Sequence, residues 1–136
     1  MNNSTLKRLI LVTGTNKGIG LGIIKELAKN NLNDTLIMTS RNKELGQKAF
    51  ENILASSNET SLSQRLVYHQ LDIDNKNSRS GFITYLSNNF KDCIDVLVNN
   101  AAISVVGDLN TDSFDKQCSL ISTLLLISLK NSFKED

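Results

Sequence analysis

Leu9-Ile10-Leu11-Val12-Thr13-Gly14-Thr15-Asn16-Lys17-Gly18-Ile19-Gly20 is the stretch on which the reading of this chain turns. It begins with an unbroken apolar run, which reads as a strand. A glycine-rich turn follows. From Ile19 the apolar residues Ile19, Ile23, Ile24, Leu27 and Ala28 recur at helical spacing and fall on one face. A strand that leads through glycines into a helix is a cradle for phosphate. Glycine brings backbone N–H groups close with no Cβ in the way, and a helix N-terminus adds partial positive charge. Gly18 and Gly20 lie at the first turn of that helix, where N–H groups lack intrahelical partners.

Outward from this stretch the same alternation repeats. Asn30-Asn31 and Asn33-Asp34 break the chain, and Thr35 to Thr39 reads as a second strand. Leu45, Ala49, Phe50, Ile53 and Leu54 form the next helical face. Ser56 to Ser63 reads as a polar loop, and a third strand runs from Leu66 to near Leu71. Phe82, Tyr85, Leu86 and Phe90 mark a third helix, and Ile94 to Val98 a fourth strand buried on both faces. A last apolar helix is expected from about Asp112 to Phe133. Strands alternating with helices predict an α/β fold: a parallel sheet with crossover helices on both faces, of Rossmann type, with strand order 3-2-1-4. With 136 residues and no linker, residues 1–136 are expected to form a single domain.

Composition removes several function classes. A net charge of +1, with acids and bases interleaved, provides no basic field for nucleic acid and no polybasic patch for a membrane. An aromatic content of 5% argues against base-stacking platforms. The apolar stretch from Leu120 to Leu129 is shorter than the roughly 20 residues that span a bilayer. Met1 to Arg8 has no apolar signal segment. Cys93 and Cys118 have neither CxxC nor metal-ligand spacing, so no metal site is expected and the thiols are expected to be reduced, as in a cytoplasmic protein.

The turn reads Gly-x-x-x-Gly-x-Gly. That differs from the Gly-x-Gly-x-x-Gly fingerprint of the larger dehydrogenases. It also lacks the Gly-Lys-Ser/Thr ending of a nucleotide-hydrolase loop, because Lys17 precedes Gly18. Taken with His69-Gln70-Leu71-Asp72-Ile73-Asp74 and Asp95-Val96-Leu97-Val98-Asn99-Asn100-Ala101-Ala102, it resembles the short-chain dehydrogenase/reductase family, and within it the monomeric NADPH-dependent carbonyl reductases. The resemblance runs from about Arg8 to Gln117 and implies a dinucleotide site at Gly14, Asn16, Lys17, Gly18, Ile19 and Gly20. It further implies that Asp72 accepts from the adenine amino group while Ile73 packs on the ring; an ordinary helix N-cap is the alternative for Asp72. Asn99 is implied to hold the sheet edge and meet the ribose side, beside Ala101. His69, the one histidine, has no Ser or Asp partner in the sequence and reads as structural or surface.

The cofactor follows from charge. An NAD site places a carboxylate after the second strand to bind the ribose 2′-hydroxyl. This chain has Thr39-Ser40-Arg41 there, and Arg41 suits a 2′-phosphate, with Lys17 as a second cation. NADPH is therefore the expected cofactor.

The resemblance implies hydride transfer to a ketone, aldehyde or quinone carbonyl, for which the family uses a Tyr-x-x-x-Lys pair and a Ser as proton donor and its support. Tyr68 is followed four residues later by Asp72, and Tyr85 by Asn89, so neither fits and no catalytic residue is assigned. The likeness stops near Gln117. Residues 118–136 read as a divergent C-terminal helix and tail, as from a splice or frameshift event that truncates the family's domain. The expectation is a cofactor-binding half, inactive alone. The exposed edge of the fourth strand and the apolar C-terminal helix are expected to offer surfaces for self-association. A non-catalytic NADPH-binding or interaction module, and a non-functional truncated isoform, are the alternatives.

Overall fold

Alternation of side chains along short strands builds this fold. The computed structural model describes residues 7–30, 33–90 and 94–101. In chain order they form β1 (Leu9–Val12), α1 (Gly18–Asn30), β2 (Thr35–Ser40), α2 (Lys43–Ser56), α3 (Leu62–Arg65), β3 (Leu66–Gln70), α4 (Lys76–Asn89) and β4 (Val96–Val98). The strands pair in parallel in the order β3-β2-β1-β4. This is the expected Rossmann-type arrangement.

Each central strand feeds two cores. Ile10 and Val12 of β1 join Leu36 and Met38 of β2 beneath Ile24 and Ala28 of α1 and Ala49 and Ile53 of α2. The alternate residues Leu9, Leu11 and Ile37 face the other way, onto Phe82 and Leu86 of α4. That is why β1 is a continuous apolar run. Phe82 is fully buried, and such burial contributes about 1.5–3 kcal/mol.

Four details depart from the sequence reading. Ile19 is 77% exposed, not on the core face, because α1 begins at Gly18 and its first turn stands beyond the end of the sheet. Leu45 is 52% exposed for the same reason in the first turn of α2. The polar loop after α2 gives way to the short helix α3, whose Leu62 and Arg65 are buried. β4 begins at Val96 and its residues are half-buried, since it has a neighbour only at β1 within the described sheet. The expected last helix, residues 118–136, Ala102 and both cysteines lie outside the described residues.

At the end of the sheet away from the glycine turn, charge holds the loops. Arg65 donates to the Ala28 carbonyl at 2.6 Å and to Glu59 at 2.8 Å. Arg8 pairs with Asp34 at 2.7 Å. The Arg8 guanidinium holds the Asp34 carboxyl below its ordinary range, and Arg65, then Ser61, does the same for Glu59. Among the described residues no buried side-chain nitrogen or oxygen lacks a partner.

Candidate functional site

All four strands end on one cleft. The turn after β1 brings Gly14, Asn16, Lys17 and Gly18; the loop after β2 brings Arg41 and Asn42, with Leu45 from α2. The segment after β3 brings Leu71, Asp72 and Ile73, and that after β4 brings Asn100 and Ala101. The cleft encloses about 630 Å³, inside the range of about 300–1,000 Å³ common to small-molecule sites. It lies at the carboxyl ends of the strands, where the winding of a parallel sheet reverses and the loops diverge.

The glycines are required by geometry. Gly14 and Gly18 have φ of 69° and 62°, a left-handed conformation that other residues adopt at a cost. Gly20 has ordinary helical backbone but no room. A Cβ there would strike the Gly14 carbonyl and the Asn100 amide. The missing side chain lets α1, which begins at the cleft-lining Gly18, close onto the turn.

Asn100 locks this arrangement from β4. Its Nδ2 donates to the carbonyls of Thr13 and Gly14, both at 3.1 Å. In return the buried Thr13 hydroxyl accepts from the backbone N–H of Asn100 at 3.1 Å and of Ala101 at 2.9 Å. Thr15 is buried as well, and both its N–H and its hydroxyl donate to the Thr39 carbonyl. The link between β4 and the glycine turn therefore belongs to Asn100, while Asn99 is exposed.

Of the residues singled out in the sequence, Gly14, Asn16, Lys17, Gly18, Arg41, Asp72, Ile73 and Ala101 line the cleft together. Ile19, Gly20 and Asn99 do not: Gly20 supports the turn from behind, and Ile19 is exposed. Asp72 is not the cap of α4. Asn75 holds that position, its side chain accepting from the Ser78 N–H at 3.0 Å, while Asp72 accepts from the Asp74 N–H at 3.0 Å. Thr13, Thr15, Asn42, Leu45 and Asn100 went unassigned. Thr13 and Asn100 stand inside the quoted motifs, and nothing marked Leu45 except its place in an apolar helical set.

His69 packs against Tyr85 with ring centroids 4.2 Å apart and against Phe82 at 5.4 Å, a structural role. A second, more open hollow of about 390 Å³ lies beside it over Gln70, Ser78 and Phe82. No residue with left-handed backbone and no lysine or arginine lines that hollow, so it lacks the features of a phosphate site. Among the described residues no cluster of His, Cys, Asp and Glu could hold a metal, and no helix is long and apolar enough to cross a membrane.

The profile of short chain dehydrogenases matches residues 8–127. The chain belongs to the short-chain dehydrogenase/reductase family. Within that family it is 38% identical over 108 residues to (-)-isopiperitenone reductase of Mentha piperita, covering 77% of this chain and 33% of the relative. It is 38% identical over 105 residues to human carbonyl reductase (NADPH) 3, covering 77% and 35%. Among solved structures, menthone neomenthol reductase of Mentha piperita superposes with a TM-score of 0.64 at 34% identity, covering 71% of this chain and 32% of that one. The chain thus spans about a third of the length of these reductases.

Proposed function

We propose that this chain is the NADPH-holding part of a carbonyl-reductase-type oxidoreductase. The observation that carries the reading is the convergence on one cleft of Gly14, Gly18, Lys17, Arg41, Asp72, Ile73 and Ala101. The residues fit the group. Two left-handed glycines and a helix N-terminus suit a pyrophosphate, which accepts hydrogen bonds from backbone N–H groups and needs close approach. Arg41 and Lys17, both exposed at the rim, suit a 2′-phosphate, and Arg41 stands after β2 where an NAD site would carry a carboxylate. Asp72 would accept from the adenine amino group, with Ile73 against the ring. Gly20, Ile19 and Asn99 would act from the edges, Gly20 by allowing the turn and Asn99 toward the ribose. NADPH, when bound, supplies a hydride for a ketone, aldehyde or quinone carbonyl.

Binding and chemistry separate in this reading. A carbonyl that gains a hydride needs a proton at its oxygen. The hydroxyl of Tyr68 is 2.9 Å from Ser40 Oγ beneath α2, and Tyr85 packs among His69, Phe82 and Phe90 with burial pushing its phenol up. Neither tyrosine lines the cleft. The chain is therefore expected to hold NADPH and to be inactive alone. Titration with NADPH by calorimetry, with turnover of menadione or isatin followed in the same sample, tests both halves. Binding without turnover supports the proposal. Absence of binding refutes it, and turnover refutes the assignment of inactivity. A non-catalytic NADPH-binding module predicts the same titration.

A further inference from the structure

The loop that carries Arg41 is held by the end of the β2–β3 ladder, by the first turn of α2 and by side-chain hydrogen bonds added to both. Its consecutive carbonyls are all engaged. Ser40 C=O accepts from the Leu71 N–H at 2.9 Å, and Arg41 C=O accepts from Gln70 Nε2 at 2.9 Å. Asn42 C=O accepts from the Gly46 N–H at 3.0 Å and from Ser40 Oγ at 2.9 Å. The Asn42 side chain then caps α2 by accepting from the Leu45 N–H at 2.9 Å.

The Ser40 hydroxyl has its own neighbour, Tyr68 of β3, with the two oxygens 2.9 Å apart. Each hydroxyl carries one proton. With the Ser40 proton given to Asn42, Tyr68 is the donor to Ser40, and its other contact, to the Asn42 carbonyl, is longer at 3.4 Å. A relay thus runs from Tyr68 through Ser40 to the carbonyl of Asn42, the residue after Arg41. The helix above makes room for it: a Cβ at Gly46 would strike both hydroxyl oxygens. Ser40 is fully buried and the Tyr68 ring packs against an apolar core, where alanine and phenylalanine would carry no desolvation cost.

We propose that Ser40 and Tyr68 are positioning residues for Arg41, fixing the backbone from which its guanidinium reaches the 2′-phosphate and so setting the preference for NADPH over NADH. This rests on the NADPH reading above. An exposed arginine has many rotamers, and its contribution to a planar, bidentate contact depends on where its Cα is held. The phosphates and the adenine are held by other segments, so loosening this loop affects one cofactor and spares the other.

The test uses the full chain and Ser40→Ala, Tyr68→Phe and the double variant, titrated separately with NADPH and NADH. Tyr68→Phe keeps the ring and its packing, and serves if the double variant fails to fold. NADPH affinity is expected to fall about threefold to tenfold, the worth of one partly exposed hydrogen bond. NADH affinity is expected to stay level. Tyr68→Phe leaves Ser40 donating to the Asn42 carbonyl, and Ser40→Ala leaves Tyr68 its longer contact to the same atom, so the double variant should be worse than either single one. A purely structural role would lower both affinities alike, and that result, or an unchanged ratio, overturns the proposal. A parent chain without preference for NADPH overturns the proposed function and this device with it. A parent with the preference, retained in every variant, overturns the device alone.

Discussion

Two glycines two positions apart on α1 are predicted to respond in opposite directions to the same substitution. Gly22 is exposed and a Cβ there meets nothing within 4 Å. Gly22→Ala should stabilise the chain by about 0.5–1 kcal/mol, the ordinary difference between alanine and glycine inside a helix. Gly20→Ala receives the same propensity gain but places its methyl against the Gly14 carbonyl and the Asn100 amide. Neither neighbour yields freely, since Asn100 is tied to both Thr13 and Gly14. Overpacking costs about 1–3 kcal/mol, and displacing Asn100 loses a hydrogen bond worth about 1 kcal/mol. After the helix gain, the net destabilisation is about 1–3 kcal/mol. Urea unfolding of the parent and both variants, compared by midpoint at constant slope, measures the difference. NADPH titration should show Gly22→Ala unchanged and Gly20→Ala weakened. A Gly20→Ala variant as stable as Gly22→Ala would refute the claim that this position is reserved by close approach.

Three further outcomes are expected. Arg41→Asp should weaken NADPH about tenfold or more, as loss of a charged hydrogen bond of about 1.5–3 kcal/mol requires, while leaving NADH level or improved; competitive titration of the two cofactors checks it. Asn100→Asp keeps the shape but turns an acceptor toward the carbonyls of Thr13 and Gly14, and should cost about 2–4 kcal/mol at neutral pH. That cost should shrink in acid, where the protonated side chain can donate again, so urea midpoints of the variant should rise relative to the parent as pH falls. In the parent, Asp34 and Glu59 are held below their ordinary values in the folded state, by Arg8 and Arg65 respectively. The unfolded chain therefore binds protons first. The stabilisation is complete above the unfolded carboxylate range of about 4 and is lost as pH falls through the lower folded values. Asp34→Asn should flatten this acid limb in a series of urea midpoints, and an unchanged limb would assign the acid sensitivity elsewhere.

How much of this was legible in the sequence differs by residue type. Gly14, Gly18, Lys17 and Arg41 announced the site because their chemistry is local: a left-handed turn needs glycine wherever it occurs, and an arginine after the second strand stands where a carboxylate would select NAD. Asn100 and Thr13 stood inside the motifs, yet their pairing across β4 and β1 is a contact between distant segments. Ile19 misled for a related reason. Its spacing belongs to the helical face, but the first turn of α1 extends past the sheet, so periodicity continues where burial does not.

The alternation of the four strands with their crossover helices, the parallel sheet and the glycine cradle were determined by sequence alone, because apolar periodicity and turn chemistry act between near neighbours. Tertiary structure decided which residues share the cleft, that Asn100 closes the turn, that Asn75 and not Asp72 caps α4, and that Tyr68 reaches the Asn42 peptide through Ser40. All but the Asn75 cap, a local contact with Ser78, depend on parallel register, which sets Ser40 beside Gln70 and Val12 beside Val98. Register is a property of paired strands, fixed by the packing of two cores at once, and no single segment carries it.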